Sequence, residues 1–261
     1  MSKELAEQYR DSSNLAARQQ IYRFAQSSIP FGQWVMEQLN LPQGARVLEL
    51  GCGHGVLWAK RTSWRDNGWR LVLSDLSEGM AREAHKELAG TGNVHVLRSD
   101  AQAIPLADRS CDGVVANHML YHVPDRDRCF REVRRVLREG GKLFAVTNSF
   151  VHLRELKELF EPFVPGAMTP SSVGELHWFA METGAAQLSR HFNSVSESYI
   201  GGELRVTEAQ AVVDYAMSID RVRAQITETQ LSALRAQVQR AIDRDGAFVV
   251  HTRVGMFTAA V

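Results

Sequence analysis

The chain has little of what marks several large classes of protein. Its 261 residues hold only three cysteines, Cys52, Cys111 and Cys129, an odd number without metal-ligand spacing. That argues against a disulfide scaffold and for reduced thiols. Charge of one sign is also missing, because 30 Lys and Arg are balanced by 30 Asp and Glu. A balanced chain carries no electrostatic footprint for a phosphate backbone or an anionic membrane, so neither is expected as a partner. No apolar run approaches the roughly 18 residues that a membrane span needs. The opening Met1-Ser2-Lys3-Glu4 is charged and leads into no apolar stretch, so no signal peptide is expected. His, Asp and Glu show no H-E-x-x-H or comparable spacing, and no metal is expected. The expectation these exclusions leave is a soluble, cytoplasmic protein of α/β size.

What is present is a core-forming composition, 44% hydrophobic and 23% charged. A chain of this length buries about 70–75% of its unfolded surface and needs no staple. Residues 1–40 read as helical, broken at Ile29-Pro30-Phe31-Gly32 because the residue before proline is driven out of the helical region. After the Pro42-Gln43-Gly44 turn, strands are predicted over 46–50, 69–75, 93–98, 111–117 and 142–147. Helices alternate with them, over 56–64, from the N-cap Ser77 through 89, and over a segment with Phe130, Val133, Val136 and Leu137 on one face that Gly140-Gly141 should end. Such alternation predicts a parallel sheet with right-handed crossovers. Beyond Asn148 the rhythm breaks. Helices are predicted over 151–160, 172–183, 207–218 and 227–243, a strand over 195–206 interrupted at Gly201-Gly202, and β-rich closing segments over 246–250 and 254–261.

The strongest chemical signal is Glu49-Leu50-Gly51-Cys52-Gly53-His54-Gly55, directly after the first strand. Glycines at alternate positions let the backbone turn tightly and bring its amides against a ligand. Asp75 follows Gly55 by twenty residues, at the end of the second strand, where a carboxylate accepts both ribose hydroxyls of a nucleoside. Dinucleotide enzymes favour G-x-G-x-x-G, whereas this loop is G-x-G-x-G with Glu49 two residues before it. A carboxylate there repels a pyrophosphate and suits a ligand with ammonium and sulfonium charges. The pattern therefore favours S-adenosylmethionine over NAD.

With these residues the chain resembles the class I S-adenosylmethionine-dependent methyltransferases, of the type found in ubiquinone and menaquinone biosynthesis. The resemblance covers roughly residues 46–148. Glu49, Gly51, Gly53 and Gly55 match the first motif, with His54 where proline is common, and Asp75 matches the ribose acid. Ser99-Asp100-Ala101-Gln102 with Ile104-Pro105-Leu106 matches the loop whose acid contacts the adenine amino group. Asp112 to His118, then Leu120-Tyr121-His122-Val123-Pro124-Asp125, match the fourth-strand motif, and Gly140-Gly141-Lys142-Leu143 the turn into the fifth. The resemblance implies a Rossmann-like, mostly parallel seven-stranded sheet with helices on both faces and a helical cap, its last strand antiparallel between the fifth and sixth. It implies S-adenosylmethionine as cofactor, S-adenosylhomocysteine as product, and contacts from Glu49, Gly51, Cys52, Gly53, Asp75, Leu76, Met80, Asp100, Ala101, Gln102, Asn117 and His118.

His118 is the candidate catalytic base, with His122 second, because an ordinary imidazole titrates near neutral pH. The fourth-strand end, Asn117-His118-Met119-Leu120, is not the Asn-Pro-Pro-Tyr of methyltransferases that act on nucleic-acid bases, and no Pro-Cys nucleophile is present. A small-molecule acceptor, with a place in secondary metabolism, is the expectation, on a monomer or homodimer. The expected division is a lid over 1–40, the cofactor-binding core over 41–149, cap insertions with the sixth strand over 150–245, and the antiparallel strand over 246–261. Tyr9, Tyr22, Tyr121, Phe163, Trp178 and Phe179 are the expected pocket walls. Three rivals stand beside this reading: an NAD-dependent oxidoreductase, a non-catalytic nucleoside-binding module, and a protein that keeps the sulfonium while catalysing a cyclisation.

Overall fold

The computed structural model of the chain describes residues 18–26, 29–168 and 178–261. Helix α1 (Phe31–Gln38) precedes strand β1 (Arg46–Leu50), and α2 (Val56–Lys60) and α3 (Ser63–Asp66) lead into β2 (Arg70–Asp75). Then come α4 (Glu78–Glu87), β3 (Val94–Arg98), β4 (Cys111–Asn117), α5 (Arg126–Val136) and β5 (Leu137–Asn148). The rest supplies α6 (Arg154–Phe160), α7 (Met181–Leu188), β6 (Ser194–Val206), α8 (Ala209–Met217), α9 (Asp220–Gln225), α10 (Glu228–Asp245) and β7 (Phe248–Ala260). Side-chain caps set several helix starts. Ser77 accepts from the Met80 amide, Asp125 from that of Arg128, and Thr227 forms a capping box with Gln230.

The seven strands form one sheet in the order β3-β2-β1-β4-β5-β7-β6. Strands β1 to β5 pair in parallel, and β7 runs antiparallel to β5, with Lys142 opposite Ala260 and Asn148 opposite Val254. The expected topology, with the last strand inserted between the fifth and sixth, is the one found.

Several element boundaries differ from expectation, each for a local reason. Helix α5 stops at Val136, and Leu137 is already extended, paired with Cys111. Gly140-Gly141 therefore does not end the helix; it lies inside β5, where the register slips between Cys111 and Gly113. A Cβ on Gly141 would stand 2.9 Å from the Arg138 carbonyl oxygen, so the bulge itself demands glycine. Strand β6 runs unbroken through Gly201-Gly202, because a Cβ on Gly201 would stand only 2.7 Å from the Thr252 carbonyl oxygen: the glycine admits a neighbouring backbone. The two closing β-segments are one strand, β7, and the helix expected over 172–183 is found at Met181–Leu188, residues 172–177 lying outside the described residues.

The chain forms two compact units. The sheet unit comprises Ile29–Ser149, Trp178–Ile200 and Val254–Val261; the second unit comprises Met1–Ser28, Phe150–His177 and Gly201–Arg253. Strands β6 and β7 contribute residues to both. In the sheet unit, Leu48, Leu50, Val114, Ala116, Leu143 and Ala145 pack with Phe130 and Val133 of α5 and with Phe257. The alternate residues Val47, Leu71, Leu73, Val115 and Val146 pack with Trp34 and Val35 of α1 and with Trp58. The period of two thus covers both faces with helices, as a parallel sheet requires. In the second unit, Ile21, Leu156, Phe160, Val212, Leu234 and Val238 form a separate core.

Candidate functional site

Strand β1 lies between β2 and β4, so the chain leaves it in one direction and returns on the other side. The crevice outside the carboxyl ends at such a switch point is where open α/β sheets bind ligands. The glycine loop occupies it. Gly51, Gly53 and Gly55 all have positive φ, but they serve different ends. A Cβ on Gly51 would meet Met119 at 2.7 Å, and one on Gly55 would press on Leu88 and Ala84 of the α4 segment. A Cβ on Gly53 would meet nothing within 4 Å. Gly51 and Gly55 are packing glycines; Gly53 borders open space.

Two acids, Glu49 and Asp75, stand at the loop, and a third, Asp100, follows β3. Asp75 is tied to it, since its Oδ2 accepts from the Gly53 amide at 2.9 Å and its Oδ1 from the Ser77 amide at 2.8 Å. A carboxylate has about four lone-pair positions, so both oxygens keep acceptor capacity. Burial raises the Asp75 pKa against the opposing pull of the Ser77, Gly53 and Leu76 amides. Glu49 is 2% exposed, and its Oε2 accepts from the Trp58 indole at 2.5 Å. Burial pushes its pKa up to about 8; the indole bond opposes this and the nearby Asp75 adds to it. Among the described residues neither acid has a cationic partner. Asp100 accepts from the Gln102 amide at 2.8 Å in an Asx turn, and the Gln102 side chain spans Asp100 and the Asp125 amide.

Of the other expected cofactor contacts, Cys52 and Ala101 are buried, Leu76 is half-buried and gives its carbonyl to Arg98, and Met80 is 1% exposed. The Cys52 thiol is held well above its ordinary pKa by burial and the two acids, so it stays protonated. Asn117 closes β4 with its Oδ1 buried and without a partner, as is Nδ1 of His54 in the loop. Next comes His118, in the left-handed region at φ 54, its amide donating to the Val146 carbonyl at 3.0 Å and its ring 5.4 Å from that of Phe31. Burial lowers the His118 pKa to about 4. The ring is neutral near pH 7, but its affinity for a proton is far below that of the ordinary imidazole the sequence reading assumed. His122 ends a single 3-10 turn and packs edge-on to Tyr121 at 4.5 Å.

The expected pocket walls separate. Tyr121 and Trp178 stack at 5.6 Å within the sheet unit. Phe179 is 0% exposed and sits between Phe130 and Phe257, so it is core and not a wall. Tyr22 and Phe163 belong to the second unit, where Tyr22 shares a hydrogen bond with His152 and Phe163 packs on that unit's core. Tyr9 lies outside the described residues. Sequence reasoning missed Trp58, whose signal was an indole nine residues after Glu49. It also missed Asn148, whose buried Oδ1 is unpartnered at the end of β5, on the face it shares with Asn117. Among the described residues no group of three His, Cys, Asp or Glu could hold a metal ion, and no helix is long and apolar enough to cross a membrane.

Comparison with known proteins bears on the family and the fold. Residues 48–145 match the methyltransferase domain family. The ubiquinone/menaquinone biosynthesis C-methyltransferase UbiE of Vibrio cholerae is 30% identical over 123 residues, which is 46% of this chain and 47% of that protein. The match thus spans about half the length of the curated relative. Among solved structures, the YcgJ protein from Bacillus subtilis covers 88% of this chain with 97% of its own, at a TM-score of 0.59 and 16% identity. An S-adenosylmethionine-dependent methyltransferase from Aquifex aeolicus covers 94% with 98% of its own, at 0.53 and 15%. At such identities the structures speak for the fold.

Proposed function

Because residues 48–145 match the methyltransferase domain family, we propose that the chain is a class I S-adenosylmethionine-dependent methyltransferase and transfers a methyl group to a small-molecule acceptor. The observation that carries this reading is the pair of neighbouring acids, Glu49 buried and Asp75 half-buried, with no cationic partner among the described residues. Burial keeps Glu49 protonated up to about pH 8 in the ligand-free protein, and a cation brought by a ligand favours its ionised form, so such a pair is suited to a cationic ligand. An ammonium-bearing nucleoside meets that need, whereas a pyrophosphate would add to the repulsion.

When bound, the donor would supply a methyl group on a sulfonium, the S–CH3 bond breaking as the acceptor's new bond forms and S-adenosylhomocysteine leaving. Asp75 would accept from the ribose hydroxyls with its spare lone pairs, and Gly53 would leave room for the amino-acid end. Asp100 and Ala101 would border the adenine. Alignment supplies the main acceleration, with reacting atoms held about 3–3.5 Å apart. With its pKa near 4, His118 serves as a hydrogen-bond acceptor toward the incoming group more than as a strong base. The test is titration calorimetry with S-adenosylhomocysteine and with NAD. S-adenosylhomocysteine should bind and NAD should not, and Asp75→Ala should weaken binding at least ten-fold, in line with about 1.5–3 kcal/mol for hydrogen bonds to a charged group. NAD binding, or unchanged affinity in the variant, overturns the reading.

A further inference from the structure

Helix α2 starts directly after the third glycine of the loop and carries Trp58 back to β1. Trp58 is 0% exposed, and its indole N–H reaches Glu49 Oε2 at 2.5 Å. Trp58 is itself fixed twice over. The Trp64 indole donates to its carbonyl at 3.0 Å, and the Trp64 ring meets its own edge-on at 6.5 Å. An indole N–H only donates, and it carries no charge. It can therefore orient a carboxylate without neutralising it, and it engages one of about four lone-pair positions. A lysine or arginine in that place would satisfy Glu49 before any ligand arrived. The tryptophan instead leaves an acid with no cationic partner among the described residues, near Asp75, whose Oδ2 in turn holds the amide of Gly53, the glycine that borders open space.

Building on the methyl-donor reading above, we propose that Trp58 is a positioning residue: its indole N–H aims the Glu49 carboxylate at the ammonium group of the cofactor's amino-acid end. The site then distinguishes adenosine derivatives that carry an α-ammonium group from those that lack it. Trp58, which touches no ligand in this account, governs that preference through Glu49.

The test compares two ligands on the full chain by calorimetry. S-adenosylhomocysteine carries the amino-acid end, and 5′-methylthioadenosine lacks it. Trp58→Phe should weaken S-adenosylhomocysteine about ten-fold and leave methylthioadenosine within two-fold. Glu49→Gln should do the same, and the double variant should be no worse than either single one, as expected for residues acting through one contact. Equal weakening of both ligands overturns the proposal and makes Trp58 a packing residue. If the wild-type protein binds neither ligand, the methyl-donor reading itself fails, and that result is distinct. Should Trp58→Phe not fold, the wild-type protein carries the test. The indole proton resonance of Trp58 should move when S-adenosylhomocysteine binds and stay put with methylthioadenosine; an unmoved resonance overturns the proposal.

Discussion

Gly51 and Gly53 stand two residues apart with similar positive φ, yet their surroundings predict opposite failures. Gly51→Ala adds left-handed strain of about 1–2 kcal/mol to a collision with Met119, and overpacking of that kind costs roughly 1–3 kcal/mol. Gly53→Ala carries the strain alone, but puts a methyl group into the open space beside Asp75. Thermal unfolding should show Gly51→Ala as the less stable of the two, while calorimetry should show Gly53→Ala losing S-adenosylhomocysteine with its fold intact. Glu49 adds a pH dependence. Its carboxyl group moves from the ordinary 4.5 to about 8 on folding, so between those values the folded state holds a proton that the unfolded state has lost. Ligand-free stability should therefore fall as pH rises from about 4.5 through about 8, and Glu49→Gln should flatten that slope in thermal melts. For His118, with a pKa near 4, turnover should show no acidic limb from this residue between about pH 5 and 8. A limb near the ordinary imidazole value of about 6.5, lost in His118→Ala, would restore it as the base.

At the scale of elements, the parallel half of the sheet was legible because each strand is a short apolar run bounded by turn residues. Strand β4 was readable to the residue, and Ser77 announced α4 through its cap. What escaped depended on contacts distant in sequence. The bulge that takes Gly140-Gly141 into β5 is set by Cys111 and Gly113 on the neighbouring strand, and local propensity read those glycines as a helix stop. The continuity of β6 through two glycines likewise depends on Thr252, fifty residues away. In the candidate site, the glycines and acids were legible because they form a compact motif with fixed spacing. Trp58 and Asn148 were not, because an isolated indole and a carboxamide become meaningful only when the fold buries them with or without a partner. Asn148→Ala should leave S-adenosylhomocysteine affinity within about two-fold while raising the KM for the acceptor, which places Asn148 on the acceptor side; a large loss of cofactor affinity would place it with Asn117. Remote from the site, Thr227→Ala breaks the α10 capping box and should cost about 1 kcal/mol of stability without changing ligand affinity.

Across the whole molecule, the sheet unit is assembled from three separate stretches of chain. Residues 29–149 contain the glycine loop and all three acids, yet they lack β7, which pairs with Lys142–Asn148 of β5, and Phe257, which lies in the core beneath. A chain restricted to 29–149 should expose the β5 edge and aggregate, by the general hazard of an unpaired strand. Soluble, S-adenosylhomocysteine-binding protein from that fragment would show that the first five strands suffice. The second unit is also divided in three, over Met1–Ser28, Phe150–His177 and Gly201–Arg253, and its last piece begins within β6 and ends within β7. This layout bears on how such a protein can diversify. A recombination event that exchanges one continuous segment brings in one of three pieces of a unit and leaves the other two unmatched, so new variants of the second unit must arise by point substitution, or by replacing three cassettes, the last of which has both joints inside strands.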